Sequence, residues 1–298
     1  MANEPPSATR VTLDGEEISL TRLDKVLYPS GFTKGQLIDY YRRIAAVMLP
    51  HVKNRPVTMR RFPRGAGGPS FYERNAPANA PNWVRRVTIP TQDGRSDTYC
   101  MVNDEATLVW LANLLAIEYH VPLWRVPRRG AIPARPDHMM FDLDPGEGAT
   151  ILECCEVACL IRTALQDRGL EGVPKTSGKK GLHVYVPLAD RPSWDRAHDR
   201  VHSIAIELER AHPDRIVSNM RKSLRRGKVL VDWSQNNSSK SSVAVYSMRA
   251  GPVPSVSTPV TWEEVARCAK RGDPELLRFS PEQVLSRVRR RGDLFAGV

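Results

Sequence analysis

Apolar positions along this chain change their period several times, and each change marks an element. From Thr33, the stretch "TKGQLIDYYRRIAAVM" places Leu37, Tyr41, Ile44 and Met48 at helical spacing behind a Thr33/Gln36 capping box. "TILECCEVACLIRTALQDRG" predicts a second helix, opened by Thr150/Glu153 and stopped at Gly169. "SWDRAHDRVHSIAIELERA", "TWEEVARCAK" and "SPEQVLSRVRRRG" predict three more, the last with Pro281 at its first helical position. "ATLVWLANLLAI" at 106–117 reads as a core helix interrupted by Asn113. Shorter apolar runs predict strands at 56–62, 86–90, 98–102, 138–144, 182–188, 228–233 and 243–248. Strands and helices alternate irregularly, and no G-x-G-x-x-G follows the first strand. The pattern therefore predicts a mixed α/β, or α+β, fold rather than a doubly wound nucleotide fold. Helices near 150–168 and 193–211 are expected to back the sheet that contains 138–144. Residues 1–10 are expected as a disordered lead-in, and residues 11–298, which hold no repeat or long linker, as a single domain.

Composition narrows this only a little. With 298 residues, 41% of them hydrophobic, the chain can bury one large core or two small ones. No stretch reaches the roughly 18 apolar residues of a membrane span, and the first ten residues lack a secretory apolar core. The five cysteines form no C-x-x-C pair, so a reduced, cytoplasmic setting is the expectation. Cys154, Cys155 and Cys159 share one predicted helix and read as packing. The net charge of +11 changes the picture more. Its sources recur in small groups through the folded part: Arg60, Arg61 and Arg64; Arg85 and Arg86; Lys179 and Lys180; Arg221, Lys222, Arg225, Arg226 and Lys228. Such spacing suits a groove that follows a phosphate backbone, although a merely soluble basic surface reads the same way.

Chemistry concentrates at "HMMFDLDPGEG", residues 138–148. A strand has a period of two, so Asp142 and Asp144 project from one face and repel. A calcium loop does not fit, because Glu147 stands where the turn needs glycine. A solvated strand end remains open, as does a divalent-cation site. The latter needs a further acid, and "KVLVDWSQNNSSK" offers Asp232 at the end of another apolar strand. Three such carboxylates can hold two Mg²⁺ or Mn²⁺ ions for nucleotidyl transfer, and hard oxygen donors without a His/Cys cluster favour those ions over zinc. Between the acids, "KTSGKKGLHVYVPL" sets Gly178 and Gly181 around two lysines before a strand. That turn could cradle an anion or be an ordinary basic hairpin, and it is not a Walker A loop. His183 follows it, either as a phosphate contact or as a satisfied core histidine.

The ordered set "FDLDPGEG", "TSGKKGLHVYVPL" and "KVLVDWSQN" resembles the three motifs of the archaeo-eukaryotic primase superfamily. More narrowly, it is similar to the polymerase domain of bacterial DNA ligase D and its free-standing actinobacterial relatives. The similarity runs from "RLDKVLYP" at 22–29 almost to the end and includes "FYERNAP", "EYHVPLWR" and "YSMRAG". It implies a primase-like catalytic core of mixed β-sheets flanked by helices. A DNA- and 5′-phosphate-binding part would cover about 11–135, the motif core about 136–250 and a helical part about 258–298. The implied activity is a template-dependent polymerase that extends primers across breaks and short gaps in bacterial end joining or gap repair, with a preference for ribonucleotides and manganese.

By the same resemblance, Asp142, Asp144 and Asp232 would bind two Mn²⁺ or Mg²⁺ ions. Ser177, Lys180 and His183 would hold the triphosphate with Arg225, Gln235 and Arg249, Arg60 would be a basic nucleotide contact, and His120 would lie near the sugar. Lys25 and Lys34 would grip the 5′-phosphate of the downstream strand, with Phe71 or Tyr72 stacking beside it. Lys34 also stands at a helix start, where a cation opposes the dipole unless an anion is near. The implied partners are gapped or broken DNA with a 5′-phosphate and NTPs or dNTPs, with Ku and a DNA ligase as candidate protein partners. The implied location is cytoplasmic and nucleoid-associated. Two departures stand out: Ala250 to Pro252 follow Arg249 where the family pattern carries another arginine, and the "TQDGRSD" loop lies where relatives differ in handling the opposite DNA end. The chain carries no ligase or nuclease signature and is either free-standing or an excised domain. The competing readings are a two-metal nuclease, which lacks an evident base for water, and a non-catalytic binder of DNA ends and 5′-phosphates.

Overall fold

The computed structural model describes residues 8–91, 93–130 and 132–298. Residues 1–7 of the expected lead-in lie outside the described residues, and residues 8–10 already belong to a strand. In chain order, a hairpin of β1 (Ala8–Leu13) and β2 (Glu16–Thr21) leads into α1 (Lys34–Val52), β3 (Pro56–Arg61), β4 (Phe71–Glu73), β5 (Arg86–Pro90), β6 (Ser96–Met101), α2 (Glu105–Asn113) and β7 (Ala116–Val121). Next come β8 (His138–Pro145), α3 (Ile151–Gln166), β9 (Val173–Thr176), β10 (Leu182–Pro187), α4 (Trp194–Ala211), β11 (Ile216–Val217) and β12 (Val229–Asp232). The chain then forms β13 (Ser242–Val243), β14 (Met248–Arg249), β15 (Ser255–Val256), α5 (Trp262–Arg271) and α6 (Pro281–Arg291). This is the expected mixed α/β architecture, with the capping boxes at Thr33, Thr150, Thr261 and Ser280 all formed.

Two sheets organise the molecule. The first has the order β11-β12-β8-β10-β9, and the second β13-β7-β3-β6-β5 with β4 added on β3. Along β8, alternation sends Met139, Phe141 and Leu143 into one core with α3 and α4, which back the acid-bearing sheet as expected, and with α5, which was not expected there. Met140, on the opposite face, joins a second core built on α1, α2 and the other sheet. Asp142 and Asp144 share the parity of Met140, so they look toward the second sheet.

Two expectations are corrected. The run 106–117 is not one helix: α2 ends at Asn113, Leu115 takes a left-handed φ of 66°, and β7 begins at Ala116. Asn113 accepts from Thr21 N–H and donates to Ser19 C=O, fastening the helix end to β2. An unbroken apolar run cannot by itself distinguish a buried helix from a buried strand, and every residue of β7 is buried. Likewise 243–248 is not one strand, because Tyr246 (φ 64°) turns the chain between β13 and β14. Tyrosine hydroxyls serve the freed backbone there: Tyr40 donates to Tyr246 C=O, and Met248 N–H donates to the Tyr41 hydroxyl.

Candidate active site

Register assembles the acids. Asp232 on β12 stands directly opposite Asp142 on β8, and His183 on β10 stands opposite Asp142 from the other side. Lys175 on β9 pairs with His183, so one row crosses four strands as Asp232, Asp142, His183 and Lys175. Asp144 lies two residues along β8. Carboxylate oxygens of Asp142, Asp144 and Asp232 all fall within 4.8 Å of one another. Burial, then Asp144, then Asp232 push the Asp142 carboxyl well up, and burial and Asp232 raise Asp144. Two acids whose ionisation is opposed by burial and by a third carboxylate bear the electrostatic mark of a cation site, and an all-oxygen donor set fits Mg²⁺ or Mn²⁺.

The supporting groups are specific. Asp232 accepts from Ser234 N–H at 2.9 Å and the Ser234 hydroxyl at 2.6 Å, while the Gln235 amide reaches its other oxygen at 3.4 Å. Asn236, 1% exposed, accepts from Met140 N–H and donates to Met140 C=O, as a neighbouring strand would. His183 Nε2 lies 3.2 Å from Asp142, and burial, then Lys175 and Arg249, hold its ring well below the usual histidine range. Its Nδ1 has no partner among the described residues. Lys175, Ser234 and Asn236 were not singled out from the sequence, because only strand pairing shows that they adjoin the acids.

The glycine turn closes over this row. The Ser177 hydroxyl accepts from the N–H groups of Lys179 and Gly181, which leaves its own proton free to donate outward. Gly178 has φ 72°, and a Cβ there would meet Arg249 Cγ at 2.6 Å; at Gly181 a Cβ would meet Leu143 C=O at 2.2 Å. The turn can therefore lie flat on β8 and β14 only with glycine at both places. Above it opens a cavity of about 1090 Å³ lined from both sheets, by Asp142, Asp144, Ser177, Lys179, Lys180 and His183 on one side and Thr58, Tyr72, His120 and Arg249 on the other. That volume accommodates a nucleotide together with a strand end. Gln235 lines it as well, whereas Arg225 lies beyond its rim, donating to Met220 C=O and drawing the Asp144 carboxyl down. Arg60 faces inward, with Nη1 3.6 Å from Glu118, a fully buried carboxylate absent from the sequence expectations.

A second basic recess, of about 300 Å³, is lined by Arg22, Lys25, Lys34 and Arg61. Lys34, 4% exposed, donates from Nζ to Thr21 C=O at 2.6 Å. Burial, then Lys25 and Arg22, pull its ammonium down to about 8. Lys25 donates to Pro63 C=O at 2.6 Å. The sequence reading named the two lysines, and the fold adds the two arginines. β4 joins this recess to the cavity: Tyr72, 58% exposed, packs against Arg60 and His120, while Phe71, 45% exposed, lies under Arg61. Two adjacent aromatics on an edge strand, each against an arginine, are thus exposed rather than core.

Comparison with known proteins matches residues 33–295 to the primase-polymerase domain of LigD. The chain is 44% identical over 282 residues to the multifunctional non-homologous end joining protein LigD of Mycolicibacterium smegmatis, covering 94% of this chain and 36% of that protein. It is 30% identical over 278 residues to the bifunctional non-homologous end joining protein LigD of Bacillus subtilis, covering 93% of this chain and 43% of that one. The chain thus spans well under half the length of these relatives. Its structure is similar to the polymerase domain from Mycobacterium tuberculosis ligase D in complex with DNA, with a TM-score of 0.87 and 43% identity, over 93% of this chain and 96% of that one.

Proposed function

This chain belongs to the LigD primase-polymerase family, and from that premise we propose that it adds nucleotides to a primer end across gaps and breaks whose far side carries a 5′-phosphate. One observation carries the reading: a carboxylate triad and a cationic glycine turn face one another across a single cavity. A triphosphate needs the second and a phosphoryl transfer the first. Asp142, Asp144 and Asp232 would hold two Mn²⁺ or Mg²⁺ ions, which when bound supply Lewis-acid activation of the attacking hydroxyl and charge neutralisation at the leaving pyrophosphate.

The protein's own groups do the rest. Ser234 orients Asp232, and His183 orients Asp142. Ser177, Lys180 and Arg249 receive the triphosphate, His120 lies toward the sugar, and Gln235 borders the reacting end. Lys25 and Lys34, helped by Arg22 and Arg61, take the downstream 5′-phosphate, and Phe71 and Tyr72 stack on bases between the two pockets. Template pairing supplies sequence choice, so the protein needs backbone contacts more than base readout. A non-catalytic end binder would have no use for three carboxylates clustered against one another, and that reading is not favoured. Among the described residues no helix is long and apolar enough to cross a membrane. A cytoplasmic, nucleoid-associated site and work beside Ku and a ligase in end joining complete the proposal.

The test is extension of a labelled primer across a short 5′-phosphorylated gap with Mn²⁺ and rNTPs or dNTPs, with Asp144→Ala beside the wild type. Templated addition by wild type alone supports the reading. Equal addition by the variant refutes the acid site, and no addition by either refutes the polymerase.

A further inference from the structure

Glu118 is the one fully buried carboxylate behind the cavity wall among the described residues, and four basic side chains converge on it. Its Oε1 lies 3.2 Å from Lys179 Nζ and 3.6 Å from Arg60 Nη1, and it accepts from Ala250 N–H at 3.1 Å. Its Oε2 lies 3.2 Å from His120 Nε2 and 3.6 Å from Arg249 Nη2. These partners come from separate places: Arg60 from β3, His120 from β7 itself, Lys179 from the turn between β9 and β10, and Arg249 from β14. Glu118 is therefore the point at which the second sheet, the glycine turn of the first and the β14 segment are tied together. Lys179, His120 and Arg249 line the cavity, while Glu118 does not.

We propose that Glu118 is the positioning residue of the nucleotide pocket, a buried anion that holds Arg60, His120 and Arg249 in their binding arrangement and yields Lys179 to the incoming triphosphate. The inference rests on the reading that this cavity takes the nucleotide, and it adds how the pocket is kept in shape. The three cations Arg60, Arg249 and Lys179 this close repel one another and would fan outward without a central anion, while His120 is fixed by its hydrogen bond to it. An unpaired buried carboxylate is equally untenable, so anion and cations hold each other in place. Burial alone would raise the Glu118 carboxyl, yet the His120 hydrogen bond with the charges of Arg249 and Lys179 holds it well below the usual range, so it stays ionised. Of its partners, Lys179 is the most exposed, with 37% of its side chain open, against 26% for Arg60, 11% for Arg249 and 10% for His120. It is the cation a phosphate can draw away at least cost, with the other three left to fix the site. Preorganisation of this kind spares the ligand the cost of assembling its own contacts.

The experiment measures Mn²⁺–ATP binding calorimetrically without DNA, binding of a 5′-phosphorylated gapped duplex, and thermal unfolding, for wild type, Glu118→Gln, Lys179→Ala and the double variant. Glu118→Gln keeps the shape of the side chain and makes the pocket one charge more positive, which by charge alone would tighten an anion. The expected result is the reverse: nucleotide binding weaker by about tenfold or more, with duplex binding within about twofold of wild type. Lys179→Ala is expected to weaken nucleotide binding by about three- to tenfold, but by less than about twofold in the Glu118→Gln background, since Lys179 is already unplaced there. Unchanged or tighter nucleotide binding by Glu118→Gln overturns the inference alone. So does a parallel loss of nucleotide binding, duplex binding and melting temperature, which marks a purely structural bridge. If Glu118→Gln does not fold, Lys179→Ala decides, and wild-type nucleotide affinity in that variant overturns the inference. A wild-type protein that binds no Mn²⁺–ATP overturns this inference and the proposed function together.

Discussion

Raising the pH from 7 to 9 should remove most of the advantage that a 5′-phosphate gives a gapped duplex, and the reason lies in Lys34. Its ammonium is pulled from the ordinary 10.5 to about 8 by burial and by Lys25 and Arg22 beside it. A phosphate dianion in that recess would favour the charged form and return the group toward its ordinary value. The phosphate itself is fully ionised from about pH 7 upward and contributes little to the change. With the free-state value near 8, about nine in ten Lys34 side chains are protonated at pH 7 and about one in ten at pH 9. Binding at pH 9 must then take up a proton, and the phosphate-dependent part of the affinity should fall by about tenfold.

Fluorescence anisotropy at constant ionic strength, with matched 5′-phosphate and 5′-hydroxyl duplexes at both pH values, reads this directly. The hydroxyl duplex should respond weakly to pH, and Lys34→Gln should abolish both the phosphate increment and its pH dependence. A phosphate increment that changes by less than about twofold, or a Lys34→Gln protein with wild-type pH dependence, would refute the reasoning. The same shift has a stability counterpart of definite sign. Between pH 8 and 10.5 the unfolded chain holds a proton that the folded one has shed, so the free fold gains stability as the pH rises through that window.

Mn²⁺ or Mg²⁺ should raise the melting temperature of the wild type reversibly to chelation, because it relieves the repulsion among the three acids. The shift should vanish in Asp142→Asn/Asp232→Asn, and an equal shift in that variant would exclude the triad as the site. Asn236→Leu leaves Met140 N–H and C=O without their partner and should cost about 2–4 kcal/mol in urea unfolding; a loss under about 0.5 kcal/mol would mean that the loop finds another partner. Gly181→Ala drives a Cβ to 2.2 Å from Leu143 C=O, so it should disturb β8–β10 pairing and lower primer extension as well as melting temperature. Duplex affinity should fall linearly with the logarithm of salt concentration, and Lys25→Ala should reduce that slope by about one; an unchanged slope would place Lys25 away from phosphate.

How much of this was written locally can be traced residue by residue. Capping boxes and helical spacing located five helices to within a few residues, because the hydrogen bonds and the buried stripe that define a helix lie within the segment itself. Strand parity put Asp142 and Asp144 on one face, and the ordered motifs named Asp232 as their partner. Glycine spacing marked the turn at 177–181. The run at 106–117 failed for a physical reason: burial on all sides leaves no polar face to report a period, so α2 and β7 looked alike. The two-residue β13 was missed as a strand of its own because β7, far away in sequence, holds it in place, whereas the hairpin at 8–21 is a local pairing around Asp14 and Gly15, both at positive φ, that the apolar pattern did not reveal.

Chemistry divided the same way. A sequence states which side chains exist and on which face of an element they stand, and that placed Asp142 and Asp144 together, whereas Lys25, Lys34, Phe71 and Tyr72 were named only through the family resemblance. It does not state register, which couples positions about 90 residues apart through backbone pairing. Register is what set Asp232, Asp142, His183 and Lys175 in one row, and what laid Tyr72, Arg60 and Glu118 across β4, β3 and β7. Glu118 shows the difference most plainly. In sequence it is one glutamate before a tyrosine and a histidine; its burial among four basic groups exists only once two sheets and a turn have closed around it.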